Sequence, residues 1–176
     1  RGLAPAAAMG SARVKRNIWG ESSVGMIATA GDPLGRAGSW LAGPDFTFQT
    51  SHFRGNKNFR AGAWALMMDR QGATGDRSAA GFRVDYPNDL WQIALSSIRV
   101  GDGFDPSLGF VPRAGVYNHR LQITNTPKTS GWLRQMEHES QLQVFTDLNG
   151  HWESYRDQIV PFNWRFASGD RIEINI

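Results

Sequence analysis

The sequence predicts an all-β protein: an antiparallel up-and-down meander of about nine or ten strands, barrel-like or a sandwich. Three observations predict it. Apolar and polar residues alternate with a period of two from about residue 14 onward, and helical periodicity is scarce. The 20 glycines fall mainly where turns are expected. Aromatic residues, with 7 Trp and 10 Phe, suit a pleated surface better than a helical bundle.

Each strand follows from its own pattern. Val24, Met26 and Ala28 share one face of an early strand. Phe46 and Phe48 lie opposite Asp45, Thr47 and Gln49, and Trp64, Leu66 and Met68 form the apolar face of a strand starting near Phe59. Ala80, Phe82, Val84 and Tyr86 alternate with Gly81, Arg83 and Asp85. After the turn cluster Pro87, Asn88 and Asp89, Trp91, Ile93 and Leu95 alternate with Gln92, Ala94 and Ser96, which completes a hairpin. Tyr117, Leu121 and Ile123 oppose Asn118, Arg120, Gln122 and Thr124. A long strand over 132–146 carries Gln135, Glu137, Glu139, Gln141 and Gln143 on one face. Asn149-Gly150 turns the chain, since both residues tolerate positive φ. The return strand spans 151–166, Ser168-Gly169-Asp170 turns again, and the chain ends on Ile172, Ile174 and Ile176.

Short turns imply that consecutive strands pair. Three connections are longer: 31–43, 69–77 and 101–113. Residues 1–12 are Ala-rich and unpatterned, and read as an extended N-terminal arm that needs a partner to lie on. Residues 13–176 read as a single all-β domain.

Composition narrows the chemistry. The 19 Lys and Arg against 16 Asp and Glu leave a net charge of +3, spread rather than massed. With no cysteine, disulfides, thiolate zinc sites, iron–sulfur clusters and cysteine nucleophiles are excluded. That composition suits a periplasmic or outer-membrane history. No apolar run is long enough for a transmembrane helix. The chain opens on Arg1 and reads as a processed or partial product, its Ala-rich start being too short for a secretory signal.

The alternation leaves one question open, because a soluble sheet and an outer-membrane wall share the same period. His138 and Ser140 interrupt the apolar face between Met136 and Leu142, and no terminal aromatic follows Ile176; both features favour a soluble or membrane-peripheral protein. Trp19, Trp40, Trp91 and Trp132 near strand ends favour an aromatic girdle instead.

The segment 100–113, Val-Gly-Asp-Gly-Phe-Asp-Pro-Ser-Leu-Gly-Phe-Val-Pro-Arg, is the most distinctive stretch. It resembles the signature loop of a bacterial domain of unknown function. In that family an outer-membrane-barrel-like region follows a family-9 carbohydrate-binding module. Residues 14–25, residues 88–91 and the closing 168–173 are similar too. The resemblance spans most of residues 13–176 and implies β architecture and an envelope location, with no activity to carry over. Against that pattern the carbohydrate-binding module and the preceding barrel strands are missing, so the chain is expected to be a truncated copy whose strand edges can pair with a partner.

No constellation of residues points to catalysis, a cofactor or a metal. Asp102 and Asp105 in the Gly-rich loop lack the regularly spaced further carboxylates of a calcium loop, and read as turn formers. Glu137 and Glu139 share a strand face, where pairing with Arg83 or Arg120 accounts for them better than glycosidase chemistry. His52, His119, His138 and His151 fall singly, without metal-ligand spacing. Arg13, Lys15 and Arg16 read as a solvated strand edge rather than a nucleic-acid site. Trp40 and Trp152 could stack on sugar rings, but aromatics in such a fold are mainly core or interface anchors.

The expectation is therefore a non-enzymatic structural or interaction subunit. It would sit on the periplasmic face of a membrane, docked on other protein subunits of a larger membrane assembly such as a respiratory or photosynthetic complex. The interaction candidates are Trp19, Trp40, Phe104, Phe110, Trp132 and Trp152, with no cofactor and no nucleic acid. The alternative is an outer-membrane β-barrel or barrel fragment with a transport or carbohydrate-related role, its lumen faced by Arg83, Asp85, Asn118, Arg120, Glu137 and Glu139.

Overall fold

A computed structural model describes residues 8–176. Ten strands follow one another: β1 (Gly10–Ile18), β2 (Ser22–Ala30), β3 (Trp40–Phe53), β4 (Lys57–Asp69), β5 (Ser78–Pro87), β6 (Trp91–Val100), β7 (Val116–Asn125), β8 (Leu133–Asp147), β9 (Trp152–Phe166) and β10 (Arg171–Ile174). Each pairs antiparallel with the next, and sequence order is sheet order. This is the expected meander, standing as one open sheet. β1 and β10 do not pair, so it does not close into a barrel, and among the described residues no second sheet packs over it.

Several boundaries differ from the sequence reading. Of the arm expected over 1–12, residues 1–7 lie outside the described residues and Gly10–Ala12 already pair with Ala28–Ala30 in β1. The connection expected over 31–43 ends at Ser39, because Trp40–Gly43 pair with β2. At 148–151 only Gly150 takes positive φ (89°); Asn149 does not. There the Gly150 amide donates to the Asp147 carbonyl at 3.1 Å. Asn149 serves instead through its amide, which donates to Oδ1 of Asp147 at 2.8 Å. The tight β1–β2 and β3–β4 turns use Trp19-Gly20 and Arg54-Gly55, all four at positive φ. This is the pair of left-handed residues that matches the twist of a hairpin.

Register assigns every side chain to one of two faces. One is mostly apolar, interrupted by Arg16, Arg99, His119 and Asp157: Val14 stands opposite Met26, Val24 opposite Phe46, Phe46 opposite Ala63, and Ala63 opposite Phe82. The row continues with Val84 opposite Leu95, Leu95 opposite Leu121, and Leu121 opposite Leu142. Every strand residue among the exposed large hydrophobics, from Val14 to Ile174, falls on this face. Nothing in the described chain covers it: Phe82 and Leu95 are each 44% exposed.

The other face is mostly polar, with Ile98, Phe145 and Val160 among its apolar members. Trp64, Leu66 and Met68, the apolar face expected for β4, lie on this polar side, because Trp64 stands opposite Asp45 and Met68 opposite Leu41. Met68 is covered there by the connection 101–115, with Leu66 and Trp64 packed at the edge of the cover. Phe104 on that connection packs with Leu41, Met68 and Ala79 into a small buried cluster, flanked by Ile27, Trp64, Leu66, Val100 and Val111. This cluster sits at the end of the sheet where the connections 31–39, 70–77 and 101–115 emerge, called here the loop end. The shorter turns at 19–21, 54–56, 88–90 and 167–170 lie at the opposite, turn end, with the connection 126–132.

Candidate functional site

The loop 101–115 is built to lie across the polar face. Gly101 and Gly103 donate their amides to the Ser78 and Asp76 carbonyls at 2.8 and 3.0 Å. Gly103 packs so closely on the Thr74 carbonyl that a Cβ there would collide with backbone. Asp102 accepts the Asp76 amide at 2.7 Å. Arg70 pairs with Asp105 and donates through Nε to its carbonyl at 3.1 Å. Both carboxylates weighed as calcium ligands are thus engaged by protein donors, and no group of three metal-binding side chains exists among the described residues.

A second tie fastens the far side of the loop. The Asp32 side chain is fully buried; it accepts from Arg36 Nε at 2.6 Å, from the Leu34 amide at 2.7 Å and from the Ser107 hydroxyl. The Ser39 hydroxyl donates to Ser107 Oγ at 2.7 Å. Burial alone would push the Asp32 carboxyl up. The hydrogen bonds from Ser107, Leu34 and Arg36 outweigh it and hold it down to about 2 from an ordinary 3.8. A depressed carboxylate stabilises above its ordinary pKa and loses that contribution as pH falls through the folded value. The anisotropy of a fluorophore on Phe110→Cys is therefore expected to drop as pH falls from about 4 to about 2. Asp32→Asn should lower it at neutral pH and remove that step; an unaltered tie with no step in this window would refute the assignment.

Beyond the loop, the polar face is tiled by side chains bonded across strands. Asn118 accepts from Gln143 at 3.0 Å, Arg120 donates to Gln141 at 2.6 Å and Gln122 to Glu139 at 3.2 Å. Each bond joins diagonal neighbours one step toward the turn end, within reach of long side chains. Asn163 donates to Glu137 at 3.0 Å and accepts from Arg171 Nε at 3.0 Å. Glu137 and Glu139 are thus held by Asn163 and Gln122, not by the expected arginines. Arg83 instead grips Asp85 through Nε at 2.8 and 3.0 Å. All six residues expected to face a lumen share this face.

An open hollow of about 500 Å³ lies on the same face, lined by Arg13, Asp45, Arg60, Trp64, Arg83 and Asp85 among others. Arg13 reaches across β2 to Asp45 at 2.8 Å, over Gly25. A Cβ at Gly25 would stand 2.8 Å from Asp45 Oδ2 and 3.1 Å from Arg13 Nη2, so a larger residue would displace the pair. Gly81 does the same for Trp64, whose indole would meet a Cβ at 3.0 Å. Glycine opposite an aromatic gives the ring backbone to lie on.

The interaction candidates do not converge. Trp19 and Trp132 are exposed at the turn end, where Trp132 stacks on Phe166 with centroids 5.5 Å apart and Trp19 meets the edge of Phe46 at 6.1 Å. Trp40 and Trp152 lie at the loop end on the apolar face, and Phe110 projects from the loop, 88% exposed. Phe104 is not an exposed anchor at all: it is 5% exposed in the loop-end cluster. Arg13, Lys15 and Arg16 are not one patch either, since alternation puts Arg16 on the apolar face. The histidines stay apart, His138 against the Pro161 carbonyl at 2.5 Å and His151 against Asp147 at 2.8 Å.

The Asp32 tie and the hollow escaped the sequence reading. Asp32-Pro33 carries a local turn signal, but its partner Ser107 lies 75 residues away. Searches of protein-family models, of curated proteins and of solved structures find no match to this chain. The resemblance read from residues 14–25, 88–91, 100–113 and 168–173 therefore rests on those residues and gains nothing from the searches.

Proposed function

We propose that the chain forms a lipid-facing wall of an outer-membrane-type β-barrel, non-enzymatic, with its polar face toward an aqueous passage and the loop 101–115 folded inward across it. One observation carries the reading: the exposed large hydrophobics of the strands all share one face, while most of the paired charges and amides tile the other. In water such a face demands a second layer; against hydrocarbon it needs none. Strand lengths support it too, since β1 to β9 run from 9 to 15 residues and a tilted strand crosses in about 9–11. Aromatic residues band both ends, Phe48, Phe59, Tyr86 and Trp91 toward the turns, and Trp40, Tyr117, Trp152 and Tyr155 toward the loops.

The absence of native cysteine makes the test direct. Single cysteines at Phe82, Leu95 and Leu142, and at Ser96, Gln122 and Gln143, would be labelled with bimane in reconstituted vesicles. Brominated lipid should quench the first set and aqueous iodide the second. Quenching of both sets alike would overturn the reading.

The docked-subunit reading draws on different features, the unpaired edges of β1 and β10 and the exposed Trp19, Trp132 and Phe110. It expects neither set to be quenched by lipid in native membranes, and the chain to migrate with a larger assembly on a native gel.

A further inference from the structure

The hollow on the polar face holds an excess of positive charge, three arginines against two carboxylates. Its two carboxylates are recessed, the Asp45 and Asp85 side chains being 21% and 15% exposed, while their partners Arg13 and Arg83 are 47% and 56% exposed. What reaches the opening is guanidinium. Between them stands Arg60, exposed and directly opposite Asp85 in register. Asp85 is already chelated by Arg83 through Nε and Nη2. Arg60 is left with no acidic partner among the described residues.

Beside Arg60, two residues along the same face of β4 at each step, come Gly62 and Trp64. The half-buried indole lies on Gly81, with Leu66 and Ile27 lining the hollow beyond it. A planar apolar wall and, four residues away along β4, a fork of five N–H donors with no acidic partner among the described residues thus line the same hollow. From this juxtaposition we infer that the hollow is a binding site for a small organic anion, its carboxylate held by Arg60 and its ring laid against Trp64. A bare inorganic ion uses only half of the arrangement, and a neutral ring leaves the guanidinium unsatisfied. The site does not rest on the bilayer reading, because the same residues line the hollow whatever the opposite face meets.

The test uses the full chain in detergent, with 4-fluorobenzoate as probe, followed by ¹⁹F line broadening. The unaltered protein should broaden and saturably bind the probe, with 4-fluorobenzyl alcohol at least about tenfold weaker, the order of a charge-assisted pair. Arg60→Gln should weaken the probe by a similar factor, Arg60→Lys by less, and Trp64→Leu should weaken 4-fluorobenzoate more than it weakens acetate. Arg156→Gln, an exposed arginine elsewhere on the polar face, should change nothing and reports on general charge. Absence of saturable binding, equal binding of the alcohol, or equal loss in Arg60→Gln and Arg156→Gln would each overturn the inference. Because Arg60 makes no ion pair among the described residues, its replacement is expected to leave the fold intact, and the bimane pattern of the membrane test is read separately.

Discussion

Phe104→Ala is expected to free the loop 101–115 while leaving the ten-stranded sheet in place. Phe104 is the one side chain of that loop in the buried cluster, and its ring touches Leu41, Met68 and Ala79 from three different strands. Removing a buried phenylalanine ring costs about 3–5 kcal/mol, the low end applying where neighbours can relax into the gap. Here the neighbours are a sheet that cannot collapse and a loop that can leave, so the loss appears as local opening. A cost of about 3 kcal/mol raises the open fraction roughly a hundredfold. Trypsin reads it at Arg113, which is tied to Glu153 at 2.5 Å and becomes cleavable once the loop lifts. An unchanged cleavage rate after Arg113 would mean that the polar ties at Asp32 and Arg70, not the ring, hold the loop down.

The second large effect comes from placing a charge on the apolar face. Leu95 lies midway along β6, opposite Val84 and Leu121. Leu95→Arg should destabilise the protein in phospholipid vesicles by about 2–4 kcal/mol, the cost of a cation near the middle of a bilayer. Its neighbour Ala94 points to the other face, between Asp85 and Gln122. Ala94→Arg, adding the same group one residue away, should cost little because it meets water and a carboxylate. Urea unfolding in vesicles measures both. Equal midpoints for the two variants would rule out a lipid contact for the apolar face.

Much of the architecture was legible because a strand writes its two faces into alternate residues. Val24, Phe46, Phe82, Leu95 and Leu121 all read correctly as members of apolar faces, and Arg83, Asp85, Arg120 and Glu137 as members of polar ones. Alternation says nothing about which side of the sheet a face occupies. Trp64, Leu66 and Met68 look like any other apolar face, yet they lie with the charges, where a distant loop packs over Met68 and against its neighbours. Phe104 looks like an exposed loop aromatic for the same reason. Partner choice was hidden too. Pairing Glu137 with Arg83 requires β8 beside β5, whereas two strands stand between them and Asn163 on β9 is the neighbour. The solitary Arg60 could be seen only once register set it opposite Asp85, and geometry gave Asp85 to Arg83.

The two unpaired rims carry a parity rule. In a meander of ten strands the first and last run in opposite senses, β1 from the loop end to the turn end and β10 back again. Direct closure, or abutment of one copy's β1 on another's β10, would continue the same alternating hydrogen-bond pattern without a reversal. Any strands interposed must then arrive in pairs, as hairpins, because a single one would force a parallel seam. The rims also differ in capacity: β1 offers nine residues of ladder and β10 four. A β1-length partner laid against β10 would overhang it by more than half, so the shorter rim limits the length of the seam.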